Sequence, residues 1–318
     1  MRKIILDVDT GTDDAVAIML AHGHPALELV ACTTVNGNTA VEHCTDNTLR
    51  VLDLIGAADI PVFQGLHRPI VRPDLPIPRA KADVGASLHG NTLPLPETAL
   101  KAQEQGAVEF LIETYRSTTD EITLVPLAPL SNIAAALALY PKLVDLIPDV
   151  VIMGGCHAFG NRTASAEFNI WADPEAAAVV LSAGFRKITL VPLDATYNAA
   201  LSTAQCEQLA ALGTPAALAA ADIIRNRIAN YDRIQPIGQG GLAPVHDALA
   251  VASIVDPTIL VTRFLHVEVE TTGTATVGRT VIDTTFRGAD RSQPANCNVA
   301  FAGDADRFAA ILLEALKA

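Results

Sequence analysis

Basic residues are scarce in this chain. Its 318 residues hold 22 lysines and arginines against 35 aspartates and glutamates, a formal net charge of −13. A nucleic-acid surface usually shows the opposite balance, so a DNA or RNA footprint is disfavoured and no nucleic-acid partner is expected. Small anionic ligands remain compatible, because a helix N-terminus binds them locally whatever the net charge. Cysteine is also sparse: Cys32, Cys44, Cys156, Cys206 and Cys297 are odd in number, with no pair at zinc-knuckle spacing. That pattern points to reduced thiols and a cytoplasmic location, not to a disulfide frame. No stretch of about 18 uncharged apolar residues occurs, so no membrane span is expected. The opening MRKIILDVD has a short apolar run followed at once by an acid, which is not a signal peptide. Aromatic residues make up 4%, with a single tryptophan, so stacking surfaces are in short supply. The half of the chain that is hydrophobic is ample for a large core and excludes extended disorder.

What is present has a regular rhythm of short β-branched runs, polar loops and Ala/Leu-rich helices. Strands are expected at 3–8, 27–35, 61–63, 122–126, 150–153 and 187–192. Helices are expected at 13–22, 39–55, 131–139, 174–183 and 203–212, with Gly56 closing the second as a left-handed cap. The helix from 174 has Asp173 as N-cap, Pro174 at its first position and Gly184 after its end. This alternation predicts an α/β fold, an open and mostly parallel sheet with helices on both faces. Residues 264–271 and 280–286 alternate around a Gly/Thr-rich turn and predict a C-terminal β-hairpin, followed by a closing helix at 304–316. No linker or repeat interrupts the chain, so 1–318 is expected to form a single domain. Two segments lack periodicity: 64–96, with six prolines, and 225–244, which ends glycine-rich. Both are candidates to cover a binding site, or else ordinary surface excursions.

The chemistry concentrates after the first strand. IILDVDTGTDDAVAIML packs Asp7, Asp9, Asp13 and Asp14 into eight residues. Strand alternation sets Asp7 and Asp9 on one side, with Asp9 at the carboxyl end, while Asp13 and Asp14 open a helix. One acid there is a cap or dipole partner. Three on one turn repel, and persist only with a neutralising cation or a shared proton. Oxygen-only donors suit Ca²⁺ or Mg²⁺, not zinc. Ligands in open α/β sheets bind beyond the strands' carboxyl ends. That rim also carries Asn38, the 127–132 turn with Asn132, the loop with Asn161, Glu167 and Asn169, and His246 with Asp247 at a helix start. Singly, each has a bland role: Asn38 and Asn132 as caps, Glu167 paired with an arginine, His246 as a structural histidine. Their convergence on one rim favours a site.

DVDTGTDDA resembles the DxDxGxDDA signature of the calcium-dependent nucleoside hydrolases. The resemblance continues through VNGN (35–38), PLSNIA, MGG (153–155), AEFNIWADPEAA (166–177) and HDALAV (246–251), in order over nearly the whole chain. It implies Ca²⁺ as cofactor, with Asp9, Asp14 and Asp247 as side-chain ligands and a backbone carbonyl from Leu127, where the family usually has threonine. It implies Asp9 as the base that deprotonates the attacking water. Asp13, Asn38 and Asn169 resemble the holders of the ribose 2′- and 3′-hydroxyls. Asn161 and Glu167 resemble those of the 5′-hydroxyl, with Met153 beneath the sugar. His246 resembles the group that protonates or stabilises the leaving base. His89, in an HG element, and Tyr231 are candidate contacts to the base, along with the neighbourhood of Asn226, Gln235 and Gln239. The implied partner is a nucleoside, and the implied assembly a homodimer or homotetramer.

The residue types fit that chemistry. Breaking an N-glycosidic bond builds positive charge on the ribose, which surrounding carboxylates stabilise. The leaving base gathers electrons, so a positioned acid helps by roughly 10²–10⁴-fold. A negative pocket disfavours nucleotides relative to nucleosides. Two rivals share the first motif. A HAD-type Mg²⁺-dependent phosphatase would use Asp7 as nucleophile, but Gly11 stands where that motif needs Thr or Val, and the acidic motif expected downstream is incomplete at Gly303–Phe308 in GDADRF. A non-catalytic calcium-dependent nucleoside or sugar binder would fold identically and differ only in lacking turnover.

Overall fold

The computed structural model describes residues 1–73, 91–285 and 294–317. The central sheet has eight strands: β1 (Arg2–Val8), β2 (Leu27–Thr34), β3 (Val62–Gln64), β4 (Ile122–Pro126), β5 (Val150–Met153), β6 (Ile188–Val191), β9 (Leu260–Leu265) and β12 (Cys297–Gly303). Their order is β3-β2-β1-β4-β5-β6-β12-β9. All neighbours are parallel except β12 and β9, which places one antiparallel strand at an edge. Two small antiparallel pairs complete the strands: β7 (Leu201–Ser202) with β8 (Leu242–Ala243), and β10 (Val267–Val269) with β11 (Thr280–Ile282).

Helices cover both faces. They are α1 (Thr12–Gly23), α2 (Val41–Leu54), α3 (Ala107–Ser117), α4 (Ser131–Leu139), α5 (Leu143–Leu146), α6 (Phe168–Ala172), α7 (Pro174–Ser182), α8 (Leu193–Asn198), α9 (Thr203–Ala210), α10 (Pro215–Ile234), α11 (His246–Val255) and α12 (Ala305–Ala315). Strand alternation divides the core. Ile4, Leu6 and Val8 face one cluster with Val125, Val151 and Met153, while Ile5 faces the other with Leu124, Val150 and Ile152. Each such fully buried side chain contributes about 1.5–3 kcal/mol. Among the described residues no helix is long and apolar enough to cross a membrane.

The expected elements are present with trimmed ends, and the differences have physical causes. The hairpin is shorter than expected. Phe264 and Leu265 continue an edge strand, β9, that pairs with β12, and only 267–269 and 280–282 pair with each other. β9 did not stand out, because a half-exposed edge strand carries little apolar alternation, and β12 did not because its burial pattern is irregular although it pairs on both sides. Residues 225–234, expected as part of a covering loop, are the last turns of the twenty-residue α10. Its buried face reads Ala220, Ile224, Arg227, Ile228, Tyr231, a helical stripe masked by an arginine inside it.

The order reverses between β1 and β4, the switch point of the sheet, where both first connections diverge. α1 starts there, four residues after β1 ends. It is buried from Thr12 to Ala21 and packs against α2, α10, α11 and α12. Small residues allow the close approach of α1 (Ala15, Ala17, Ala21) to α11 (Ala248, Ala250, Ala252), all fully buried.

Candidate active site

The N-termini of α1 and α11 meet at the switch point. One carboxylate oxygen from each of Asp13, Asp14 and Asp247 lies within 4.8 Å of the others, all three residues buried. Residues some 230 positions apart in sequence are thus joined by the packing of two Ala-rich helices. The positive end of each helix dipole favours the acids in its first turn. Asp14 is further held by the Gly11 N–H (2.9 Å) and the Asp9 N–H (3.3 Å).

Burial dominates the electrostatics. It pushes the Asp14 carboxyl up to about 7, with Asp13 adding repulsion and the Gly11 and Asp9 N–H groups opposing. Asp247 is raised well above the carboxylate range by burial, then by Asp13, Asp14 and Asp9, with Arg227 pulling the other way. Protein groups alone therefore hold this cluster reluctantly ionised. Oxygens no more than 4.8 Å apart leave room for one cation whose bonds are about 2.3–2.6 Å, which Asp14 and Asp247 can hold while Asp13 faces Arg227, so these carboxylates fit a hard divalent ion.

Asp9 lies beside the trio but points differently. Its Oδ2 accepts the Asn38 N–H at 2.5 Å. The Asn38 amide donates to the Asp9 carbonyl (3.3 Å) and to Asp14 Oδ2 (3.4 Å), tying the VNGN turn to both acids. A Cβ on Gly37 would stand 1.9 Å from Asp9 Oδ2, so only glycine allows that approach. Asp7 is separate. β1 ends at Val8, and the Asp7 Oδ1 accepts from Thr33 Oγ1 (2.6 Å) and Asn132 Nδ2 (2.8 Å) within the core. Asn132, which looked like a helix cap, is instead a bridge, since its Oδ1 accepts the Leu66 N–H (2.9 Å) and its amide also reaches the Thr34 carbonyl (3.0 Å). A phosphotransferase nucleophile needs a free carboxylate oxygen at the substrate; Asp7 is fully buried with Thr33 and Asn132 both donating to its Oδ1.

The far wall comes from the ends of β4 and β5. Asn169 Nδ2 donates to the Leu127 carbonyl (2.9 Å) and the Met153 carbonyl (3.2 Å). A carbonyl has two lone pairs, so Asn169 occupies one on Leu127. Glu167 caps α6, accepting from the N–H groups of Gly155 (2.9 Å), Asn169 (3.0 Å) and Ile170 (3.4 Å). It pairs with no arginine among the described residues. Asn161 is exposed, and its Oδ1 caps the Phe168 N–H at 3.0 Å without touching the acid cluster. His89 lies outside the described residues.

His246, next to Asp247, is buried in a polar relay. Tyr231 Oη lies 3.1 Å from its Nε2, and Thr196 Oγ1 lies 2.7 Å from its Nδ1. The Thr196 hydroxyl is also 3.3 Å from the Leu193 carbonyl, to which it donates. With that proton committed, Thr196 accepts from His246 Nδ1–H, so a second proton on the ring sits on Nε2, facing the Tyr231 hydroxyl. Tyr197 packs edge-on at 6.1 Å from Tyr231 and tilted at 5.8 Å from His246. Phe159 follows at 5.2 Å from Tyr197.

Thr196, Tyr197 and Arg227 were not singled out from the sequence. The first two follow β6 in a stretch with no acid cluster or glycine turn to mark it. Arg227 carried a usable signal, standing four residues before Tyr231 on the apolar stripe of α10. Its guanidinium is 3.1 Å from Asp13 Oδ1.

A family model described as inosine-uridine preferring nucleoside hydrolase matches residues 4–310. The chain belongs to that family. It is 38% identical to the inosine-uridine preferring nucleoside hydrolase of Leishmania major, over 99% of this chain and 98% of the relative. It is 37% identical to the pyrimidine-specific ribonucleoside hydrolase RihA of a Shewanella species, over 99% of this chain and 96% of that one. Among solved structures, the purine-preferring ribonucleoside hydrolase from Gardnerella vaginalis superposes with a TM-score of 0.89 at 33% identity, covering 99% and 98% of the two chains. Nucleoside hydrolases are N-glycosyl hydrolases, and the α/β sheet of this one is the fold of its relatives. The three relatives differ in named base preference at similar identity, so overall similarity does not carry that preference.

Proposed function

We propose that this nucleoside hydrolase releases ribose and free base from ribonucleosides at the cluster where α1 and α11 meet. The observation that carries the proposal is the convergence of Asp13, Asp14 and Asp247 within 4.8 Å, with His246 adjacent in sequence to the last. Asp14 and Asp247, with Asp9 and the Leu127 carbonyl from the ends of β1 and β4, are the residues to hold Ca²⁺. When bound, the ion supplies a template that aligns a sugar diol and a water.

The protein groups divide the remaining work. Asp9, oriented by the Asn38 N–H, takes the proton from the attacking water. Asp13, Asn38 and Asn169 hold the ribose 2′- and 3′-hydroxyls, and Asn161 and Glu167 the 5′-hydroxyl, with Met153 beneath the ring. His89 is a contact to the base or the 5′ region. The ring of carboxylates stabilises the positive charge that grows on the sugar. His246 passes a proton toward the leaving base; the Tyr231 contact supports a shared relay, and Thr196 supports a fixed tautomer. Tyr231 and Tyr197 offer an aromatic wall to the base. The fully buried Asp7 and the family match together argue against the phosphatase alternative.

Further parts of the proposal concern the chain as a whole. It acts as one domain in the cytoplasm, as a homodimer or homotetramer. Val261 and Phe264, exposed on the edge strand β9, supply apolar surface for assembly.

A reducing-sugar assay over a panel including inosine and uridine, before and after prolonged EDTA treatment, tests the proposal. Ribose release that chelation abolishes and Ca²⁺ restores is expected, with Asp9→Ala inactive but folded. Binding of nucleosides without any release would leave a non-catalytic binder instead.

A further inference from the structure

The acid cluster already contains one cation. Asp9, Asp13, Asp14 and Asp247 place four carboxylates around the switch point, and Arg227 brings a guanidinium among them. Its side chain is 3% exposed and that of Asp13 is 8%. Buried arginines of this kind occur almost only when paired. Nη1 stands 3.1 Å from Asp13 Oδ1 and donates to Thr12 Oγ1 at 2.7 Å, while Nε donates to the Pro244 carbonyl at 3.0 Å. Thr12 opens α1, and Pro244 lies two residues before α11. One side chain from α10 thus joins the two turns that carry the cluster's acids.

We infer that Arg227 is the resident counter-charge of this site: it neutralises and orients Asp13 so that Asp13 serves the sugar and not the metal, and it braces the α1 and α11 termini against their mutual repulsion. The inference rests on the divalent-ion reading above. It makes Arg227 a positioning residue, acting through Asp13, and it assigns opposite signs to two measurable quantities. Removing the guanidinium leaves a more negative and less well-braced cluster. The metal-stripped protein loses stability, while its attraction for a divalent cation grows. Charges a few ångströms apart inside a protein couple strongly enough to change an affinity by at least about tenfold.

The experiment is calorimetric titration of the EDTA-stripped full-length protein with CaCl₂ at pH 8, paired with melting curves with and without Ca²⁺. Wild type is compared with Arg227→Met, Arg227→Lys, Asp13→Asn and the double variant Asp13→Asn/Arg227→Met. Arg227→Met is expected to melt earlier without Ca²⁺ and to bind Ca²⁺ at least about tenfold tighter. Asp13→Asn, which takes away the guanidinium's nearest carboxylate and leaves its charge facing the metal ligands, is expected to weaken Ca²⁺ binding by a similar factor. The double variant removes the pair without changing net charge, and with Arg227→Lys it is expected within about threefold of wild type. A double variant as weak as Asp13→Asn would make Asp13 a metal ligand and overturn the inference. So would an Arg227→Met affinity equal to or below wild type. Should Arg227→Met fail to fold, Asp13→Asn against the double variant still decides. A wild type that takes up no Ca²⁺ would overturn the metal reading itself, and the inference with it.

Discussion

His246 illustrates how much a single side chain depends on its immediate partners. Its ring is flanked by Tyr231 Oη at 3.1 Å and Thr196 Oγ1 at 2.7 Å, and it lies beside Asp247 in the chain. A group so arranged matters in proportion to how badly the leaving group needs a proton. His246→Ala is therefore expected to slow hydrolysis of inosine or uridine by about 10²–10⁴-fold while sparing p-nitrophenyl riboside, whose phenolate leaves without protonation. Steady-state kinetics on the two substrate types check this, and equal losses on both would remove the acid role. Asp9, Asp13, Asp14, Asn38, Asn169 and Asp247 could all be picked from sequence because acids and amides crowd into short motifs at strand ends. Thr196 could not, since a lone threonine acquires meaning only from the group it touches, and Arg227 showed only as a charge on the apolar stripe of α10, with nothing in the sequence to say which acid it meets.

Elements decide how closely those side chains may approach. The turn after β2 brings its backbone against Asp9, and the space left at Gly37 is smaller than a methyl group, with a Cβ there falling 1.9 Å from Asp9 Oδ2. Gly37→Ala must push the carboxylate or the turn aside. Displacements near 1 Å at a reacting group cost about 10²-fold, so kcat is expected to fall by at least that factor. The Gly37 backbone is not left-handed, so circular dichroism should show an intact fold and the melting temperature should shift little. A Gly37→Ala variant with unchanged kcat would show that Asp9 needs no such exact placement. Helix α10 makes a complementary point. Its sequence pattern places Arg227 and Tyr231 on one buried stripe, four residues apart, so a single element delivers one group to the acid cluster and another to His246.

At the scale of the whole molecule, buried acids tie stability to pH. Burial raises the Glu167 carboxyl from 4.5 to about 7, against the N–H bonds of Asn169, Gly155 and Ile170 and with a small push from Asp13. Between those two values the folded chain keeps a proton that the unfolded chain has lost, so stability falls as pH rises through that window and levels off above it. The span corresponds to about 3 kcal/mol. Urea unfolding of EDTA-treated protein at pH 5 and pH 8 should show a loss larger than that, and Glu167→Gln should reduce it by about the Glu167 share. Asp7, also raised to about 7 by burial, leaves part of the slope in place. A variant with the wild-type slope would assign the whole effect to other groups. Sequence alone determined the parallel α/β layering, because strand and helix periods are local properties of the chain. It also marked the acid-rich strand end and helix starts, because those acids and amides stand in short, dense motifs. Only the tertiary structure decided that Asp13, Asp14 and Asp247 share one point, that Asp9 turns toward Asn38, and that Arg227 closes the cluster. Those facts depend on how α1, α10 and α11 pack, and packing between distant segments leaves no periodic trace in the chain.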